Sequence, residues 1–191
     1  MIWRPRWSSS RRSPPGSRAG ASRDGCRSDG EKDNSFLATV EEFGDFVLEA
    51  EFRPDAGINS GVQFRSHSRP DVQEGRVQGY QYEIDPTPRA LTGGLYEERG
   101  RRWLVPKDDP GEREAFKAKG GRLKAGEWNE MRVECRGPRV RTWLNGELVV
   151  DYTDDQPRPA GFIALQVHSN RNEALVGKTM AWRNLRVKRL D

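Results

Sequence analysis

Short runs of alternating apolar and polar residues are the main pattern of this chain from Asn34 onward. The run at residues 79–86 reads GYQYEIDP, so its two tyrosines and its isoleucine fall on one phase. Gln81, Glu83 and Asp85 fall on the other phase. Because successive side chains of a β-strand point to opposite faces of a sheet, this run predicts a strand with one apolar and one polar face.

Further runs of the same kind follow along the chain and are separated by Gly, Pro and Asp. They read DFVLEAEFR, SGVQFRS, NEMRVECR, GFIALQVHS and MAWRNLRVKRL. The stretch VRTWLNGELVVDY adds a hairpin that turns at Asn145-Gly146, since this pair favours the tight turns of hairpins. Strands this short, at this spacing, predict an all-β protein built as an antiparallel β-sandwich.

Two segments depart from the strand pattern. Residues 109–120 (DPGEREAFKAKG) predict one short helix. Residues 85–110 show no clear period, and their glycines and aromatic residues predict a long ordered loop that packs over the sheet. Cys135 lies on an apolar phase, which favours a buried free thiol over a disulfide with the distant Cys26.

The first 33 residues differ in composition from the rest and are predicted to form a disordered tail (1–33) ahead of one domain (34–191). The tail is rich in Arg, Ser, Pro and Gly and has no period that would bury a face. It holds eight of the 33 Lys and Arg residues and four of the 29 Asp and Glu residues, so the domain carries 25 of each sign. The net charge of +4 therefore belongs to the tail, and the domain gives no electrostatic reason to expect nucleic acid as a partner.

The sequence gives no signal for export or for a membrane span. The N-terminal stretch lacks the apolar core of a signal peptide, and no run approaches the ~18 apolar residues of a spanning helix. An Arg-rich arm for nucleic acid and a misread start of the gene are the alternative interpretations of the tail. The oligomeric state stays open.

Polar residues of a distinctive kind share the outward phase of several predicted strands. They are Gln63, Arg65, Gln81, Glu83, Asp85, Gln166 and His168. If these strands are neighbours, the residues form one surface of amide, guanidinium, carboxyl and imidazole groups, which suits the recognition of sugar hydroxyls. A solvated sheet face is the simpler interpretation, although such a face favours Lys, Glu and Thr.

Eight motifs occur in a set order over about residues 34–191. They are DFVLEAEFR, NSGVQFRS, GYQYEIDP, TGGLYEERGRRWL, GEWNEMRVECRG, TWLNGELVVDY, GFIALQVH and WRNLRVKRL. Together they resemble the 3-keto-disaccharide hydrolase family, whose members are also described as 3-keto-glucoside lyase or 3-keto-glucal hydratase domains. The resemblance implies a concanavalin-A-like jelly roll from bacteria, periplasmic or extracellular, that acts on sugars oxidised at C3.

The chemistry that the resemblance implies gives roles to the polar residues. A ketone at C3 acidifies the proton on C2, so a base can remove that proton, the C1 substituent can leave, and water can add to the product. His168 and Glu83 are the catalytic candidates for base or acid, and Arg65 is the candidate for stabilising the enolate. The candidates for contacting the sugar are Asn59, Gln63, Gln81, Asp85, Tyr96, Trp103 and Gln166.

Carbohydrate is therefore the expected partner, and cleavage of 3-keto-glycosides by a lyase or hydrolase is the expected activity. No cofactor is expected. A divalent cation that polarises the ketone stays open as an alternative, but no set of His and Cys ligands for it stands out. The alternative is a non-catalytic carbohydrate-binding module, since one fold can host both functions. A domain whose polar face is simply solvated is a third interpretation.

Overall fold

A computed structural model describes residues 7–9, 21–22, 25–27, 34–169 and 172–190 of the chain. The strands among these residues are β1 (Trp7–Ser9), β2 (Ala21–Ser22), β3 (Gly25–Arg27), β4 (Ser35–Phe43), β5 (Phe46–Pro54), β6 (Ser60–His67), β7 (Gln78–Ile84), β8 (Leu95–Glu98), β9 (Arg102–Val105), β10 (Asn129–Arg136), β11 (Arg139–Leu144), β12 (Glu147–Thr153), β13 (Gly161–Val167) and β14 (Thr179–Arg189). The helix α1 spans Pro110–Gly120, and single 3₁₀ turns lie at Gln73–Gly75 and Glu173–Leu175.

The strands form two antiparallel sheets that pack face to face. The first sheet has the order β1-β4-β13-β6-β7-β8-β9, and the second has the order β12-β11-β10-β5-β14-β3-β2. Apolar side chains from both sheets meet in one core cluster between them. The predicted antiparallel β-sandwich is therefore confirmed.

The alternation of β7 determines which of its residues enter the core. Tyr80, Tyr82 and Ile84 have no exposed surface and belong to the cluster between the sheets. Gln81 and Glu83 alternate with them and so lie on the outer face of the first sheet. Burial of apolar side chains, worth about 25 cal/mol per Å² removed from water, fixes this phase because a shift of one residue would bury the polar set.

The local predictions for the hairpin, the helix and the thiol are confirmed. Asn145 and Gly146 both have positive φ, 51° and 83°, as a tight hairpin turn between β11 and β12 requires. The side chain of Asp109 caps α1 by accepting a hydrogen bond from the backbone NH of Glu112 at 2.9 Å. Cys135 is a buried free cysteine, and burial raises the pKa of its thiol to about 12.

The segment predicted to be a long irregular loop, residues 85–110, contains β8 and β9 instead. β8 pairs with β7 and β9 pairs with β8, so this segment extends the first sheet by two strands. Each strand has only four residues, and the glycines and charged residues around them hide the period of two. No helix of the described residues is long and apolar enough to cross a bilayer.

Three short segments of the predicted tail are strands in the structure. β1 pairs with β4 at one edge of the first sheet, and β3 pairs with β14 in the second. The composition of residues 1–33 did not indicate these pairings. The domain boundary at residue 33 stays a prediction, since the rest of the tail lies outside the described residues.

Arg65 does not lie on the polar face where the sequence placed it. The register of β6 against β7 shifts between Phe64 and His67, and Arg65 has a φ of 45° within this bulge. Glycines accommodate the bulge on both neighbouring strands: a Cβ at Gly79 would lie 2.0 Å from Ser66 Oγ, and one at Gly161 would lie 2.4 Å from Ser66 N. The extra residue reverses the alternation, so a prediction based on phase is wrong for Arg65.

The guanidinium of Arg65 joins the two sheets at one end of the sandwich. Its Nε donates to Gly44 O at 2.9 Å and its Nη1 donates to Gly137 O at 2.8 Å. Its Nη2 donates to the carboxylate of Asp45 at 2.9 Å, and the Arg65 side chain is only 1% exposed. These contacts hold the β4–β5 and β10–β11 turns together, so the role of Arg65 is structural.

We predict that Arg65→Met lowers the free energy of unfolding by about 3 kcal/mol, because a buried charged donor leaves three acceptors without their partner. Urea denaturation monitored by tryptophan fluorescence would measure the shift in the midpoint. Arg139→Met is the matched control, since Arg139 is an exposed arginine paired with Asp151, and little change is expected. If Arg65→Met instead unfolds at the wild-type urea concentration but no longer binds sugar, the original assignment of Arg65 to the site would be right.

Candidate functional site

The candidate site lies on the outer face of the first sheet, around the polar phase of β6, β7 and β13. Gln63 on β6 is paired with Gln81 on β7 and with Ala164 on β13. The same register pairs Gly61 with Glu83 and Val62 with Leu165. Gln166 and Glu83 therefore lie on either side of Gly61, which has no side chain between them.

A chain of amide groups connects these side chains to the carboxylate of Glu83. Gln63 Nε2 and Gln166 Nε2 both donate to Gln81 Oε1, at 2.6 Å and 3.1 Å. Gln81 Nε2 donates to Glu83 Oε2 at 2.7 Å, and Asn59 Nδ2 donates to Glu83 Oε1 at 2.7 Å. Four of the seven residues predicted to share one surface are thus linked through their side chains, namely Gln63, Gln81, Glu83 and Gln166, and Asn59 joins them.

The amide chain is buried, although it lies on an outer sheet face. Gln63 and Gln166 are at most 1% exposed, Gln81 is 3% exposed and Glu83 is 5% exposed. Burial raises the pKa of Glu83 to about 7, while the hydrogen bonds from Asn59 and Gln81 act in the opposite direction. A carboxyl group in this state can accept and return a proton near neutral pH.

Two aromatic side chains stand beside the polar floor. Tyr96 on β8 and Trp103 on β9 are paired across the strands, and their rings make an edge contact with centroids 5.2 Å apart. Trp103 reaches over Gly94, where a Cβ would lie 3.2 Å from its ring. Since the backbone NH of Glu83 donates to Gly94 O, the half-buried aromatic pair borders the carboxyl group.

Asp85 lies at the end of β7, where it orders the loop that follows. Its Oδ1 accepts from Thr87 N at 3.1 Å, and its Oδ2 lies 2.9 Å from Arg89 Nε in an ion pair. The positive charge of Arg89 lowers the pKa of Glu83, and the negative charge of Asp85 raises the pKa of Glu83. Arg89 and Asp85 therefore both lie close to the site. Sequence analysis missed Arg89 because its loop has no period from which a direction could be inferred.

His168 follows β13 and lies apart from the buried amide chain. Its side chain is exposed, and its Nδ1 is 2.6 Å from the backbone carbonyl of Ser169. A carbonyl can only accept, so Nδ1 donates this hydrogen bond. His168 lies close enough to Glu98 to act on its pKa, in the lowering direction. Glu98 is half-buried and lies on the same face of β8 as Tyr96. No hydrogen bond joins His168 to Glu83 among the described residues.

The outer face of the second sheet carries paired charged side chains instead of a chain of amides. A groove of about 510 Å³ lies there, bordered by charged side chains and Trp143. Its charges neutralise one another: Arg132 pairs with Glu49 and Glu134, and Arg141 pairs with Glu134. Both guanidinium groups also lie near the Trp143 ring, at 5.2 Å and 5.4 Å from its centroid. We place the site on the first sheet because mutually paired, partly exposed charges are typical of a solvated sheet face.

The described residues contain no group of three or more His, Cys, Asp and Glu side chains arranged to hold a metal ion. The polar groups of the first sheet are mainly amides and one carboxyl, which suit the recognition of hydroxyl groups.

The fold is that of an antiparallel β-sandwich domain, and the family that the sequence matches is a carbohydrate-active one. The chain belongs to the family of 3-keto-alpha-glucoside-1,2-lyase-like domains, whose model matches residues 3–188. The match begins within the segment that sequence analysis assigned to the tail. The family that the motifs indicated is confirmed, and the comparison with curated proteins gives no match.

Solved structures share this fold at low sequence identity. The carbohydrate-binding module CBM66 from Bacillus subtilis is 17% identical, with a TM-score of 0.57 over 97% of this chain and 92% of that chain. A candidate glycosyl hydrolase from Parabacteroides distasonis ATCC 8503 is 19% identical, with a TM-score of 0.56 over 97% of this chain and 100% of that chain. The exoplasmic/lumenal domain of VIP36 in a Ca²⁺/Man-bound form is 10% identical, with a TM-score of 0.56 over 87% and 78%.

We predict that Glu83 titrates near pH 7 and that Gln81→Met raises its pKa further, because the substitution removes a donor that stabilises the carboxylate. Carboxyl-carbon NMR of glutamate-labelled protein would measure both values, with the Glu83 signal identified by its loss in Glu83→Gln. Glu49→Gln is the control for the assignment, since Glu49 lies on the outer face of the second sheet. A Glu83 signal that titrates near the ordinary value of 4.5, or that is unmoved in Gln81→Met, would contradict this account of the site.

Proposed function

We propose that this domain cleaves 3-keto-glycosides, with Glu83 as the base that removes the proton from C2 of the sugar. The observation that carries the proposal is the buried Glu83 carboxyl group, whose pKa of about 7 suits proton transfer at neutral pH. Membership of a family named for 3-keto-glucoside lyase activity supports the choice of substrate class. Sequence analysis named both His168 and Glu83 as candidates for base or acid, and the burial of Glu83 supports Glu83 as the base.

The proposed reaction begins with proton transfer from C2 to Glu83. The electron pair of the C2–H bond moves onto the C3 ketone to form an enolate, and then forms the C1–C2 double bond as the C1–O bond breaks. The leaving oxygen takes the electron pair of that bond and a proton from an acid. Water then adds to the unsaturated sugar if the product is hydrolytic.

The other residues of the face have supporting roles in this proposal. Tyr96 and Trp103 are positioned to pack against the apolar side of a sugar ring, since their rings border Glu83. Arg89 replaces Arg65 as the candidate cation for the enolate, because its charge already acts on Glu83. His168 is the candidate acid for the leaving group, because it is exposed and faces the region of Glu98.

A non-catalytic carbohydrate-binding module is the second candidate function. The amide-rich floor favours it, since amides bind hydroxyl groups without taking part in proton transfer. The fold shared with CBM66 over 97% of the chain is compatible with either function, because fold alone does not define activity. For a domain of this family we also propose a periplasmic or extracellular location, in which free glycosides would be accessible.

We predict that Glu83→Gln lowers the turnover of a 3-keto-glucoside by roughly 100-fold or more, because the amide cannot accept the C2 proton. Release of a chromogenic aglycone would measure the rate, and sugar binding to the variant should persist. Wild-type kcat/KM should rise with pH through about 7, since Glu83 acts in its ionised form above its pKa.

Glu49→Gln is the matched control for Glu83→Gln, since it removes an exposed carboxylate from the other sheet. It should leave turnover unchanged. Wild-type protein that binds glycosides but releases no aglycone from any 3-keto-glucoside would support the binding module and reject the enzyme.

His168→Ala should also lower turnover, and the loss should be smaller for substrates whose leaving group needs no proton. Comparison of an alkyl aglycone with a nitrophenyl aglycone in the same assay would test this role. An equal loss of rate with both aglycones would show that His168 is not the acid.

A further inference from the structure

In its ionised form, Glu83 determines the direction of every hydrogen bond in the amide chain. An ionised carboxylate can only accept hydrogen bonds, so Gln81 must present its Nε2 to Glu83 Oε2, from which it lies 2.7 Å away. The amide of Gln81 is planar, so its Oε1 then faces Gln63 and Gln166. Each of these residues must in turn present Nε2 to that oxygen, as observed.

The oxygen atoms of the two outer glutamines have different surroundings. Gln63 Oε1 lies 3.1 Å from Ser66 Oγ, whose hydroxyl can donate to it or to Phe64 O at the same distance, so this end of the chain has a donor within the protein. Gln166 Oε1 is buried and has no hydrogen-bond partner among the described residues. The amide chain therefore ends in one open acceptor.

Rotation of the Gln166 amide by 180° would give its Oε1 a different neighbour but would be unfavourable. The rotation would place its Oε1 against Gln81 Oε1, and two acceptors would then face each other. A buried acceptor without a donor is itself unfavourable, and in native proteins such groups usually have a partner in protein, water or ligand. The orientation required by Glu83 thus leaves a position that a donor from outside the amide chain can fill.

We propose that Gln166 Oε1 accepts a hydrogen bond from a hydroxyl group of the bound sugar, and that this contact selects ligands that carry the hydroxyl. The inference rests on the proposed function to the extent that carbohydrate binds at this face. Gln166 and Glu83 lie two strands apart, so their Cα atoms are separated by roughly 10 Å. A single hexose ring with its substituents can span that gap, which places the selected hydroxyl on the ring that meets Glu83.

A pair of variants separates the open acceptor from the rest of the amide chain. Gln166→Met and Gln63→Met each remove one donor to Gln81 Oε1, but only Gln166→Met also removes the open acceptor. The probes are methyl glucoside and a series of its monodeoxy analogues, each lacking one hydroxyl. Dissociation constants come from NMR titration, and urea midpoints of the variants report on folding.

For wild-type protein we expect one deoxy analogue to bind about tenfold more weakly than methyl glucoside, the usual effect of one neutral hydrogen bond. The difference should disappear in Gln166→Met and persist in Gln63→Met. Gln166→Asn, which withdraws the oxygen but keeps a polar side chain, serves the same purpose if Gln166→Met does not fold. Equal affinity of wild type for all analogues, a difference that persists in the Gln166 variants, or no sugar binding at all would overturn the inference.

Release of aglycone from a 3-keto-glucoside, measured on the same wild-type sample, separates this inference from the proposed function. Selective binding without release would remove the enzyme and leave the hydroxyl contact standing. Release without an effect specific to Gln166 would leave the enzyme standing and remove the hydroxyl contact.

Discussion

The carboxyl group of Glu83 must be solvated by the protein, because Glu83 is only 5% exposed to water. Two amides supply this solvation, one from Asn59 ahead of β6 and one from Gln81 on the same strand. They compensate only part of the lost hydration, so the pKa of Glu83 stays near 7. The orientation of Gln81, and through it that of Gln63 and Gln166, follows from this one requirement.

Glycines make room for this arrangement on the two neighbouring strands. A Cβ at Gly61 would lie 2.6 Å from the amide carbon of Gln81, so any larger residue would displace the side chain that contacts Glu83. A Cβ at Gly94 would lie 2.9 Å from Leu91 O and 3.2 Å from the Trp103 ring. The absence of side chains at these two positions lets the Gln81 amide and the indole approach the carboxyl group from opposite sides.

Much of the site could be predicted because it depends on the strict alternation of β7. Gln81 and Glu83 follow from phase alone, and Gln63 and Gln166 follow once their strands are neighbours. Arg65 could not be predicted, because the bulge in β6 depends on contacts with glycines of other strands. The role of Arg89 was also hidden, since it comes from a loop whose path is set by the hydrogen bonds of Asp85 and Thr92.

A carboxyl group at position 83 supports the proposed proton transfer more than it supports passive binding. A glutamine there would continue the amide chain and could hydrogen-bond a sugar without the cost of burying a charge. The protein instead holds an acid whose ionised form is disfavoured by burial. The folded state keeps a proton that the unfolded chain releases between pH 4.5 and about 7, so this group makes folding less favourable as the pH rises through that range. A binding module gains nothing from that loss of stability, whereas a base is most efficient when its pKa lies near the operating pH, which supports the proposed role of Glu83.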